Sequence, residues 1–315
     1  MKNLHSLLPL LTLLLLAKYT QATPFQYDGD PYLSQSFSLA GSGDLKVATS
    51  GSAIIITGTS GNTVIIDMYV KYKGNEIDTE NAEVEELLED YTLDISQSGN
   101  TISITAKKRS NQGWDSSNKL NLAFKIQVPH EMSSNIQSSG GSISLTEISG
   151  KHEIQSSGGS IKIDNCDGEL VTRSAGGSFR LEEFRGNASV QSSGGSIKIN
   201  QLTGDLVIGS SGGSVVLEQI DGSIDVSSSG GSIKAQMNAL EKGMTLKSSG
   251  GSITAVVPEG LGLDLDLRGG RVNSFLGNFS GEQKKDKVVG MINGGGIPVS
   301  IHSSGGSISL EFNQE

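Results

Sequence analysis

One cysteine, one tryptophan and six prolines in 315 residues leave little material for several familiar kinds of protein. A lone Cys166 rules out any disulfide framework within the chain, and it falls at a position otherwise filled by Ile, Phe and Leu, the pattern of a buried, inert thiol. Basic residues are also short: 24 Lys and Arg face 34 Asp and Glu, and that balance argues against nucleic acid as a partner. Aromatics make up 5% of the chain, while glycine reaches 42 residues. This composition suits a repeat protein better than a compact enzyme.

Long apolar runs are missing too, except at the start. Lys2, the stretch Leu7–Ala17 and then Thr20-Gln21-Ala22 form a secretory signal, with cleavage expected after Ala22. Removal of residues 1–22 takes Lys2 and Lys18 away and shifts the formal charge from −10 to −12. No cysteine follows the run to carry a lipid, and no later segment is apolar enough to span a bilayer as a helix. The expectation is export, to the periplasm, the cell surface or the medium.

What is abundant is a repeat. The string S-S-G-G-S-I, with small variations, places the first glycine of a pair at Gly140, Gly158, Gly176, Gly194, Gly212 and Gly230, in steps of 18; Gly250 and Gly305 follow at wider intervals. A period of this size is the mark of a solenoid. Each unit divides into halves of nine that open on glycine and alternate apolar and polar residues, the period of a strand. The fold class expected is all-β: a single-stranded β-helix (β-solenoid) of 18-residue rungs, two strands per rung, wound right-handed by default. Core columns are read directly from the alignment, among them Ile143, Ile161, Phe179, Ile197, Val215, Ile233, and beside them Ile148, Cys166, Phe184, Leu202, Ile220.

The serine column Ser138, Ser156, Ser174, Ser192, Ser210, Ser228, Ser248 precedes the corners, where hydroxyls are placed to bond each other or turn carbonyls. A hydroxyl array facing ice or a polysaccharide is the functional counterpart of that reading. Regular rungs cover 136–257. Residues 23–135 read as an irregular β-rich cap with early rungs, in which Ser50-Gly51-Ser52 and Ser60-Gly61-Asn62 look like degenerate corners and one helix falls at Ala82–Asp90. Residues 258–315 read as irregular rungs with a closing strand.

Candidates for chemistry are few. Gly209-Ser210-Ser211-Gly212-Gly213 matches G-x-S-x-G without the strand–turn–helix context of a nucleophile elbow. His130, His152 and His302 lack metal-ligand spacing and read as surface or end-rung residues, so no metal, cofactor or catalytic residue is assigned. The acidic run Glu76–Asp90 reads as a solvated face, with weak divalent-ion binding as the alternative. A basic stripe (Lys162, Arg180, Lys198, Lys234) beside an acidic one suits cross-strand pairing. It is equally the candidate surface for an acidic glycan, and Trp114 is a candidate either for sugar stacking or for packing on the cap.

The repeated S-S-G-G-S-I corners, Val128-Pro129 before the first regular rung and the Gly290–Gly296 segment G-M-I-N-G-G-G together resemble a known group, the bacterial putative-adhesin β-solenoid family of exported and envelope proteins. The resemblance covers nearly all of the chain after the signal. It implies the solenoid fold and a non-enzymatic adhesin-like role, with a glycan or an envelope protein as partner, and it supplies no catalytic residues. A periplasmic structural or regulatory protein is the alternative. A polysaccharide-processing enzyme is the third, disfavoured because corners this short build no cleft.

Overall fold

The computed structural model describes residues 29–77, 81–109 and 120–313; the expected signal and Trp114 lie outside them. Among these residues 23 strands join into one continuous sheet wound as a solenoid, and the only helix is Ala82–Leu88. Strands Ile161–Ser174, Phe179–Ser192, Ile197–Ser210 and Val215–Ser228 stack in parallel with each residue facing its counterpart 18 positions on, as in Ile161↔Phe179 and Ser174↔Ser192. Successive rungs are therefore separated by about 4.8 Å.

The two strands expected per rung run together into one 14-residue strand, bent inside its length. The bend has a physical cause that alternation alone does not show. Asn165, Glu183, Gln201 and Gln219 take left-handed backbone, with φ between 49° and 57°, and Gly168, Gly186, Gly204 and Gly222 follow three residues later with φ between 116° and 142°. These turns change the direction of the strand without breaking its ladder. They bring Ile161, Ile163, Cys166, Leu170 and Thr172 of one rung into the same interior.

The columns read from the sequence are buried from Ile143 to Ile233, and one apolar cluster runs the length of the molecule. Cys166 is buried among them, and desolvation raises its thiol pKa above the ordinary value. At the main corners the second glycine carries the constraint. Gly141, Gly159, Gly177 and Gly195 have φ of 72–77°, and a Cβ on the last three would collide with the carbonyl oxygen of the second glycine one rung below.

Both ends depart from sequence order. Strands Gly43–Thr49 and Ala53–Thr59 form a rung around the Ser50-Gly51-Ser52 corner, slotted between strands Thr101–Lys108 and Leu120–Pro129 on one side and the rung 132–146 on the other. Ser60-Gly61-Asn62 is not a rung corner. It leads instead into Thr63–Tyr72, which runs antiparallel to Leu120–Pro129 and to Leu33–Ser38. The helix packs here, with Val84 fully buried and the Asn81 side chain accepting from the Glu83 and Val84 N–H groups at 3.1 and 3.2 Å.

At the other end the last strand does not close the stack. Ile297–Ser303 and Ser307–Asn313 are paired on both sides, between residues 244–258 and the rung 263–274. The outermost strands are antiparallel, Lys287–Ile292 beside Leu263–Arg268 and Phe279–Gln283 beside Lys287–Ile292. A rung with regular corners matches the exposed parallel edge of the array best, and the hairpins then cover the edge that remains.

The glycine pair yields an asymmetric expectation. Gly159→Ala should cost about 3 kcal/mol, from left-handed strain and a carbonyl clash. Gly158→Ala, whose Cβ would sit 3.9 Å from the nearest atom, should stay within about 0.5 kcal/mol of the parent. Urea melts of the two variants check this, and equal losses would contradict it.

Candidate functional site

The basic stripe lies on the face after the main corner, where alternation turns Lys162, Arg180, Lys198 and Lys234 outward. The acidic stripe two residues on largely neutralises it. Lys162 meets Asp164 at 3.0 Å and Glu182 at 3.9 Å, Arg180 meets Glu182 at 2.8 Å, and Lys198 meets Glu218 at 3.1 Å. Of the four, only Lys234 makes no ion pair among the described residues. Exposed pairs of this kind are worth little in stability, but they remove the net charge an anionic ligand would need.

A long concavity lies elsewhere, along the main corners themselves, and sequence reasoning did not find it. It is a groove of about 1030 Å³ that follows the solenoid axis. The inward serines of the corners lie along it, with the exposed residues after them, such as Ser139, Ser157 and Ser193. Its wall is the outward residue before each inward serine: Gln137, Gln155, Arg173 and Gln191 in the first half, then Gly209, Ser227, Lys247 and His302. Lys107 stands at one end, and among the described residues no Asp or Glu lines it. The acids that its wall residues meet are Asp266, 3.2 Å from His302, and Glu153, which Gln155 and Arg173 meet at 3.3 and 3.4 Å.

The expected serine column is buried, from Ser138 to Ser248, with Ser303 continuing it. Its hydroxyls bond the turn rather than one another. Ser138, Ser156, Ser174 and Ser192 each donate to the carbonyl of the first glycine of their own corner. One contact extends the column to the early rung, where Thr49 Oγ1 donates to Ser138 Oγ at 3.1 Å. Ser211, the centre of the G-x-S-x-G match, is exposed beside the buried Ser210, and strand rather than helix follows its corner.

His152 is neither at the surface nor in an end rung. It heads the column of Leu170, Ala188, Leu206 and Ile224, fully buried, with Nδ1 3.0 Å from Ser134 Oγ and Nε2 without a partner. Desolvation lowers its pKa to about 4, opposed by a backbone hydrogen bond at Ile148. His130 Nδ1 lies 2.8 Å from the Glu147 carbonyl, and His302 Nε2 lies 3.2 Å from Asp266. Among the described residues no three His, Cys, Asp or Glu side chains converge to hold a metal. In the acidic run Glu76 pairs with Lys71 at 3.1 Å, and Glu83 receives Lys73 at 3.0 Å and the Tyr72 hydroxyl.

A second concavity, about 660 Å³, opens at the C-terminal end among Leu261, Asn278 and Phe312, with Phe275 beside it 92% exposed. No described helix is long and apolar enough to cross a membrane.

Parallel 18-residue rungs, glycine corners and antiparallel hairpins at both ends define a capped β-solenoid. The chain belongs to the Toastrack DUF4097 family, whose profile matches residues 54–311. Similar solved structures include a provisionally named cell adhesion protein from Clostridium sporogenes, 10% identical over 90% of this chain and 100% of that one, TM-score 0.22. A provisionally named adhesin from Bacteroides fragilis is 14% identical, covering 89% and 96% of the two chains with TM-score 0.40. A provisionally named lipid binding protein from Parabacteroides distasonis is also 14% identical, covering 91% and 98% with TM-score 0.43. No curated protein matches the chain.

Burial of His152 sets a pH dependence. Its folded pKa near 4 lies below the ordinary 6.5, so the unfolded chain binds the extra proton. Stability contributed by the neutral ring is complete above pH 6.5, falls as the pH drops, and is fully lost below about pH 4, by about 3 kcal/mol. Denaturation across this range should show that slope, and His152→Leu should flatten it.

Proposed function

We propose that this protein is exported by its N-terminal signal and acts without catalysis, as an adhesin-like solenoid that binds a glycan of the cell envelope. One observation carries the reading: a continuous corner groove rich in hydroxyl and amide groups, with no carboxylate among the described residues of its lining, on a chain with an acid excess. Sugars are recognised by such side chains, which can both donate and accept.

A protein partner within the envelope is the second reading, and Phe275 favours it. An aromatic ring left 92% exposed beside a concavity is unusual on a surface otherwise built of polar stripes.

The purified chain, signal removed, should be retained by a glycan array or by glycan fractions of the envelope. Retention should persist in Phe275→Ser. Loss of retention in that variant, with recovery of a cross-linked protein by the parent, transfers the role to the C-terminal end. Absence of retention on every glycan overturns the glycan reading. Protease treatment of intact and lysed cells reports the address: cleavage without lysis places the solenoid outside.

A further inference from the structure

The groove is not uniform along its length. In its first four regular corners the second glycine is left-handed and the serine hydroxyl is tied to the turn. From Gly213 onward, through Gly231, Gly251 and Gly306, the second glycine leaves the left-handed region. In the last two of these corners a different pattern satisfies the hydroxyls. Ser248 and Ser303 each accept from the second glycine's N–H at 2.9 Å and donate to a glycine carbonyl of the neighbouring rung, at 3.3 and 2.8 Å.

Between the two patterns lie Ser210 and Ser228, 6% and 5% exposed, whose hydroxyls have no partner. Ser192–Ser196, Ser210–Ser214 and Ser228–Ser232 share the sequence S-S-G-G-S, so local sequence does not dictate the change. A buried hydroxyl left unpaired costs about 1–3 kcal/mol. Both orphans line the groove where its wall is lowest, beside Gly209 and Ser227.

Charge marks the same stretch. Lys247 is exposed on the wall one rung beyond Ser228, and among the described residues it has no ion pair. Arg173 lies four rungs before it, about 19 Å away at the rung spacing of parallel strands, although Glu153 partly compensates it. With 34 acids in the chain, a groove with Lys107, Arg173 and Lys247 in its lining and no carboxylate among its described residues is a favourable place for an anion.

We propose that the middle of the corner groove, centred on Ser210 and Ser228 and bounded by Arg173 and Lys247, binds a linear anionic polysaccharide laid along the solenoid axis. This rests on the glycan-binding reading and adds the site, the orientation and the charge of the ligand. Serine pairs recur at nearly every rung in one direction, so the matching ligand is a repeating chain rather than a compact molecule. The two unpaired hydroxyls lie in its floor, and the exposed Ser211 and Ser229 beside them supply donors and acceptors that a sugar can reach. Acidic sugars meet the cations, and the attraction weakens as salt screens it.

The test is affinity electrophoresis of the full chain through gels containing polygalacturonate, a linear polyuronate, with neutral dextran in parallel gels. Retardation by polygalacturonate, reduced by added salt, is the expected result. Ser227→Glu combined with Lys247→Glu should weaken it at least tenfold, about 1.4 kcal/mol. Both positions are exposed, and unchanged thermal midpoints would show that the variant folds. Lys162→Glu with Lys198→Glu, on the opposite side of the corner, should change it less than about twofold. Loss in the stripe variant alone overturns the groove as the site and leaves glycan binding standing. Retardation by dextran alone overturns the anionic class. Retardation by neither polymer overturns this proposal, and only a further absence of binding to envelope glycans would overturn the function it rests on.

Discussion

Backbone-to-backbone packing at the corners governs this molecule. The second glycine of each pair lies so close to the carbonyl of its counterpart one rung below that no side chain fits between them. That contact holds the rungs in an 18-residue register, and every other regularity is a consequence. Ile stacks on Ile and Phe, serine stacks on serine, and charge stacks beside opposite charge. A side chain at this position would separate the rungs and weaken the ladder on both sides of the corner.

The register carries a liability as well as an order. A stack of parallel strands ends in unpaired edges, which invite association with other chains. Both ends answer it in the same way. A rung remote in sequence is inserted next to the array, 43–59 at one end and 297–313 at the other, and antiparallel hairpins lie outside it. The molecule is thus closed by segments that leave the array and return, which gives its ends the long-range pairing that its middle lacks.

The proposed binding surface sits on the corner rather than on the flat faces. Cross-strand pairing consumes the charges of the face that carries Lys162, Arg180 and Lys198. The corner cannot neutralise itself in this way, because its side chains are serine, glutamine and scattered cations with few acids in reach. Its two turn conformations leave hydroxyls unused at the point where they meet. Polar groups not spent on the fold are the ones free to bind something else.

The sequence by itself determined the rung, its core columns, the buried Cys166 and serine positions, and the family, because a side chain repeated at a fixed period must occupy the same place in every rung. It also marked the four cations of the stripe. The acidic stripe beside them made pairing expected, but only the structure decided the partners, Asp164 and Glu182 in the same rung for Lys162 and Arg180 and Glu218 one rung away for Lys198. The left-handed corners at Glu183 and Gln201 were invisible, because neither residue favours that conformation and only the demand to turn the strand imposes it. His152 looked like a surface residue until its column was followed back from Leu170. The order of rungs at the two ends, and the corner groove itself, were decided only in the tertiary structure. Both arise from pairings between residues far apart in the chain, and a local period says nothing of which edge a distant strand will choose.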